Sequence, residues 1–177
     1  MHWLDVLWAP WRSKYVREVS SGKKDKSQEC IFCEAVRKRD EEALILYRGK
    51  HCYVIMNLYP YNTGHVMVVP YKHVPSIEHL NSDELLEMMQ LVKASIKIIK
   101  QALNPDGFNI GINLGRVAGA GIEEHVHIHV VPRWVGDANF MPIIAGVKVL
   151  PQDVRETYNI LKPYYEEMQA NTIFEDS

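Results

Sequence analysis

Residues 124–134 read Glu-His-Val-His-Ile-His-Val-Val-Pro-Arg-Trp. Side chains alternate along a strand, so His125, His127 and His129 share one face there while Val126, Ile128 and Val130 share the other. Alternate residues stand roughly 7 Å apart, which makes the imidazoles an outward-facing row. Three of the chain's eight histidines fall within these five positions. Solvated strand faces normally carry Lys, Glu and Thr, so a merely exposed edge face suits this row poorly. Two chemistries suit it better. The three rings could hold a metal, as in some zinc hydrolases. Alternatively, one neutral imidazole attacks an electrophile while its neighbours hydrogen-bond charged oxygens. The pattern alone leaves both open.

A second group of chemical interest is Cys30-Ile31-Phe32-Cys33, two thiols one helical turn apart. That spacing is usual for a zinc pair, although two buried thiols in a short helix would read the same. No second Cys-x-x-Cys exists, so further ligands must come from distant sequence. Cys52 stands alone among strand residues and reads as core. His2, His51 and His79 read as surface or loop residues. His65, after Gly64, reads as support for a hairpin.

The elements that must position these groups follow from periodicity. A short helix is expected over residues 30–38. Residues 43–47, 51–58, 65–69, 108–114 and 125–131 are rich in Val, Ile, Leu and Tyr and bounded by Gly, Pro and Asn, and so read as strands. Leu85, Met89, Val92, Ile96, Ile99 and Leu103 step by four and three, which predicts one apolar helix face. Asn81 and Glu84 form its capping box, and Asn104-Pro105 ends it. A last helix is predicted from about Gln152 toward Glu167, with Pro163 as a break point. Strands, one long helix and more strands argue α+β with a largely antiparallel sheet, and Val126, Ile128 and Val130 packed under the long helix.

The 177 residues suit one domain (1–177) with a Trp-rich arm (1–27: Trp3, Trp8, Trp11) and a helical extension (151–177). Residues 20–27 are polar and mostly basic, a solvated loop by composition. The aromatic arm is expected to pack on the domain or on a second subunit. A net charge of −2 gives no footprint for duplex nucleic acid. No apolar run approaches the ~20 residues that cross a membrane, and residues 1–11 lack the basic start of an export signal. With an odd cysteine count, this reads as a cytoplasmic chain whose cysteines are thiols or metal ligands.

The run His-Val-His-Ile-His-Val-Val resembles the signature of the histidine-triad (HIT) family of nucleotide hydrolases and transferases. Residues 54–70, with Gly64-His65 before an apolar strand, are similar to the family's first hairpin. Residues 109–115, followed by Ala118-Gly119, resemble its phosphate-side strand and loop. Residues 7–12, 132–134 and 136–140 resemble the bacterial branch that phosphorolyses diadenosine tetraphosphate. The resemblance implies a five-stranded antiparallel sheet with one long helix and a C-terminal helix. It implies His127 as nucleophile toward the α-phosphorus of an adenine nucleotide, with His129 and Asn113 contacting the phosphate and Asn57 the ribose. The products would be ADP and ATP with inorganic phosphate as acceptor, or AMP if water serves instead, as in hydrolases of dinucleoside polyphosphates or phosphoramidates. Many of those hydrolases carry Gln, Ser or Thr just before the triad. Residues 118–124 offer none and run one residue longer, so backbone N–H groups from Gly119 to Gly121 would take that role. Zinc-containing members imply a structural site of Cys30, Cys33, His73 and His125, one zinc per chain, with no organic cofactor. Family members pair as homodimers or higher oligomers. Two other classes are an adaptor with a vestigial pocket, which would tolerate loss of His127, and a zinc enzyme using the whole triad, whose turnover chelation would abolish without unfolding.

Overall fold

The structure, a computed structural model, describes residues 30–137 and 152–175. The Trp-rich arm, His2, the 20–27 stretch and residues 138–140 lie outside the described residues. Two short helices, α1 (Ile31–Ala35) and α2 (Asp40–Ala43), precede β1 (Ile45–Arg48), β2 (Cys52–Met56) and β3 (Val66–Pro70). A single 3-10 turn, Ile77–His79, leads into α3 (Ser82–Leu103). Then come β4 (Gly107–Ile112), a 3-10 turn at Arg116–Ala118, β5 (Ile128–Arg133) and α4 (Val154–Glu175). Among the described residues the five strands form one antiparallel sheet in the order β1-β2-β3-β5-β4. The fold is α+β, as the alternation of element types predicts. No helix among the described residues is long and apolar enough to cross a membrane.

Both faces of the central strands are covered, which is why β2 and β3 read as unbroken apolar runs. Cys52, Val54 and Met56 face α3 and α4 together with Val126, Ile128 and Val130. Tyr53, Ile55, Met67 and Val69 face the other way, against Phe32 and Ala35 of α1. Strand β4 is the half-open edge, with Ile110 46% exposed and Leu114, just past its end, 41% exposed.

Three expectations need correction. The triad strand begins at Ile128, not His125. The Val126 N–H donates to Val74 O at 2.7 Å, in the loop beyond Pro70, and so leaves the ladder. The alternation nonetheless survives, and Val126 stays in the core. Second, the buried stripe of α3 is Glu84, Met88, Leu91, Val92, Ser95, Ile98 and Ile99. Leu85 and Met89 of the predicted face are 37% and 56% exposed. Two polar residues on the inward face disguised it. Glu84 turns in because its carboxylate accepts the Asn81 N–H at 2.7 Å in the capping box, and Ser95 accepts the Tyr165 hydroxyl of α4 at 2.8 Å. Third, α4 runs through Pro163 to Glu175 without a break. Fully buried Leu161 and Tyr165 anchor it on both sides of the proline.

The rotation of α3 has a direct check. Met88→Ala should cost about 2–5 kcal/mol in chemical denaturation, as a buried large-to-small change does. Met89→Ala should stay within about 0.5 kcal/mol. Equal losses would restore the face predicted from periodicity.

Candidate active site and metal-ligand cluster

The histidine row is not an open surface. His125 and His127 are buried, because α1 lies across them. The Phe32 ring packs 5.4 Å from His125 and 4.9 Å from His127, centroid to centroid. Beside them opens a cavity of about 470 Å³ whose lining includes Ile31, Phe32, Asn57, Gly121, His127 and His129. Apolar walls with a few polar groups are what a small-molecule site requires.

Each ring of the row has a fixed partner, and the partners fix the protons. His127 Nδ1–H donates to its own chain's His125 carbonyl at 2.9 Å. In the neutral ring, Nε2 then carries the lone pair. Burial lowers the His127 pKa, and the carbonyl hydrogen bond opposes this only in part. The ring is therefore neutral near pH 7 and competent as a nucleophile.

His129 is set by a residue read from sequence only as hairpin support. His65 is fully buried, and its Nδ1 accepts the Tyr61 N–H at 3.0 Å. Its proton therefore sits on Nε2, which donates to His129 Nδ1 at 3.0 Å. His129 Nδ1 is thereby the acceptor, so the ring's proton sits on Nε2, as a donor. His65 also stacks on Tyr61, 4.8 Å between centroids, so it supports the turn as expected and directs His129 as well. The signal was available in the register. Met67 pairs with His129, so His65, two residues earlier on the same face, is its diagonal neighbour. Gly64 makes the turn possible. Its φ is +74°, and a Cβ there would come within 2.7 Å of Leu103.

Asn57 ends the turn's first arm. Its Oδ1 accepts the Tyr59 N–H at 2.9 Å, and its backbone N–H donates to His65 O at 3.0 Å. Asn113 follows β4, whose Ile112 pairs with Ile128, and is not among the cavity-lining residues. Gly119 caps the 3-10 turn at φ +89° and also lies off the cavity wall, whereas Gly121 is on it.

Cys30 and Cys33 at the start of α1, His73 beyond β3 and His125 before β5 come together from three places in the chain, with one ligand atom of each within 4.8 Å of all the others. Cys30 Sγ is 3.3 Å and Cys33 Sγ 3.7 Å from His125 Nδ1, and Cys33 Sγ is 3.3 Å from His73 Nδ1. Sulfur and nitrogen ligands of one tetrahedral zinc stand about 3.6 Å apart, so the set fits that ion. His125 Nε2–H donates to Pro70 O at 2.8 Å, which orients Nδ1 toward the sulfurs as metal-binding histidines require. Burial pushes its pKa down to about 4, which keeps that lone pair available. His125 is thereby turned away from the cavity chemistry, against a metal held by all three triad rings.

Residues 38–135 match the model of the HIT domain. The chain belongs to the HIT family. It is 46% identical over 162 residues to an AP-4-A phosphorylase of Mycobacterium tuberculosis, covering 89% of this chain and 83% of that protein. A solved histidine triad nucleotide-binding protein of Sulfolobus tokodaii superposes with a TM-score of 0.63 at 31% identity, over 80% of this chain and 93% of that one. A zinc-bound histidine triad family protein of Mycobacterium smegmatis shares the fold, with a TM-score of 0.65 at 24% identity, over 82% of this chain and 99% of that one.

The proton assignments are measurable. Long-range proton–nitrogen spectra of the imidazole rings near pH 7.5 should report Nδ1–H for His127 and Nε2–H for His65 and His129. His65→Leu should mix the His129 tautomers. A single unchanged His129 tautomer in that variant would show that His65 does not set it.

Proposed function

We propose that this HIT protein transfers a nucleotidyl group from a dinucleoside polyphosphate such as diadenosine tetraphosphate to inorganic phosphate, by way of His127. The observation that carries the reading is the Nδ1–H of His127 tied to His125 O, which leaves Nε2 as the nucleophilic atom beside the cavity. The Nε2 lone pair attacks the α-phosphorus, and the bond from that phosphorus to its bridging oxygen breaks to release ATP. His129, protonated on Nε2, donates to the phosphate as charge develops on the departing oxygen. An oxygen of inorganic phosphate then displaces the imidazole and gives ADP. Asn57 holds the ribose, while Asn113 and the backbone N–H groups of Gly119 and Gly121 hold phosphate oxygens. The relative named as an AP-4-A phosphorylase supports phosphate as acceptor, and so does the lack of a Gln, Ser or Thr donor in residues 118–124.

In the same reading one zinc per chain binds Cys30, Cys33, His73 and His125. With no ligand position left over, it would pin α1 to the triad and take no part in the chemistry. Two subunits pair through apolar surface such as exposed Ile110 on β4. The compartment is the cytoplasm.

Incubation with diadenosine tetraphosphate tests the acceptor. ADP plus ATP, formed only with phosphate, is the expected outcome, whereas AMP plus ATP in water alone would make the chain a hydrolase. His127→Asn should lose several orders of magnitude in rate while still binding nucleotide. With a chiral α-thiophosphate substrate, two in-line displacements give net retention, and net inversion would exclude the covalent intermediate.

Metal analysis of protein purified without added metal should find about one zinc per chain. Cys33→Ser should lower the melting temperature more than the rate per folded molecule. Zinc loss that stops turnover at unchanged melting would overturn the structural role.

A further inference from the structure

Much of the cavity wall is built from the two short helices. Glu34, Ala35 and Lys38 of the α1 region and Glu42 and Ala43 of α2 line it. Helices of five and four residues have no stability of their own, so something must hold them. The first end of α1 is held at the cysteine cluster. The other end is held by Arg48 of β1, whose Nη1 and Nη2 donate to Val36 O at 3.0 Å and Lys38 O at 3.1 Å. Its Nε donates to Asp40 Oδ1 at 2.7 Å, so one guanidinium spans the junction of the two helices.

The remaining ties come from α4. Lys162 Nζ donates to Asp40 Oδ2 at 3.2 Å, and to Ile45 O at 3.3 Å and Leu46 O at 3.2 Å. Those carbonyls lie where β1 enters the sheet through a register shift, after Leu44 turns the chain at φ +59°. Arg155 Nη1 donates to Glu41 O at 3.2 Å and Tyr158 OH to Ile45 O at 3.3 Å. The Lys162 side chain is only 16% exposed. An ammonium withdrawn from water needs compensating partners, and Asp40 with the two carbonyls supplies them. The family match ends at residue 135, so all of α4 lies beyond it.

We infer that α4 sets the nucleotide-cavity wall, with Lys162 as a positioning residue that fixes α2 through Asp40. The inference rests on the nucleotide reading above and assigns the C-terminal extension a part in substrate affinity. Lys162 touches none of the reacting groups, so its loss should fall on binding and spare the chemical step.

The test compares full-length variants for AMP binding by titration calorimetry, for KM and kcat with diadenosine tetraphosphate, and for melting temperature. Lys162→Met should weaken AMP binding and raise KM on the order of five- to thirtyfold, the effect of losing one charge-assisted pair, with kcat within about twofold. Asp40→Asn keeps the side-chain shape and should do the same, and Lys162→Arg should restore affinity. Tyr165→Phe, on the same helix as Lys162, is the control: it loses the hydroxyl bonded to Ser95 of α3 and should lower the melting temperature at unchanged affinity. Wild-type affinity in both Lys162→Met and Asp40→Asn would overturn the inference, as would an equal loss of affinity in Tyr165→Phe. Failure of the wild-type protein to bind AMP would instead overturn the nucleotide reading and this inference with it.

Discussion

Three of His125's polar groups each have a fixed partner, and the site depends on all three. Its Nε2–H goes to Pro70 O, its Nδ1 meets the two cysteine sulfurs, and its carbonyl accepts Nδ1–H of His127. The first bond ties the triad segment to the end of β3. The second brings α1 down over the row. The third selects which nitrogen of His127 keeps its lone pair. Without the carbonyl bond, His127 would have two tautomers of similar energy, only one of which presents a lone pair at Nε2.

From that residue outward, the site reads as a set of proton assignments enforced by backbone. Tyr61 N–H decides the proton of His65, and His65 decides that of His129. His127 and His129, with ring centroids 4.7 Å apart, thus hold opposite roles at Nε2, one acceptor and one donor. A neutral ring with a bare Nε2 beside an N–H donor suits a polyphosphate substrate. A neutral imidazole adds no negative charge to repel the substrate.

The wall facing these rings follows a different logic. Its helices are too short to be stable alone, so their position is borrowed from elements far away in sequence. The cysteine cluster holds one end, Arg48 the middle, and Lys162 and Arg155 the far end. The histidine rings are fixed by the sheet and the strands' backbone, and the wall by side-chain ties.

The sequence by itself determined what local periodicity and residue type can encode. Alternation in residues 125–130 put three imidazoles on one face, Cys30 and Cys33 stood one helical turn apart, and Asn81 with Glu84 marked the start of α3 correctly. These are properties of neighbours one to four residues apart, set by backbone geometry alone. Tertiary structure decided the rest. Polar Glu84 and Ser95 turned inward because Asn81 and Tyr165 satisfied them, which rotated the buried stripe of α3 away from Leu85 and Met89. The His row was covered because Phe32 lies across it, and His65 entered the site through strand register. Lys162 meets Asp40 across 122 residues of sequence, and no period in the chain records that distance. Hydrogen bonds between remote groups depend on which surfaces the packed core brings together, and that information exists only once the chain has folded.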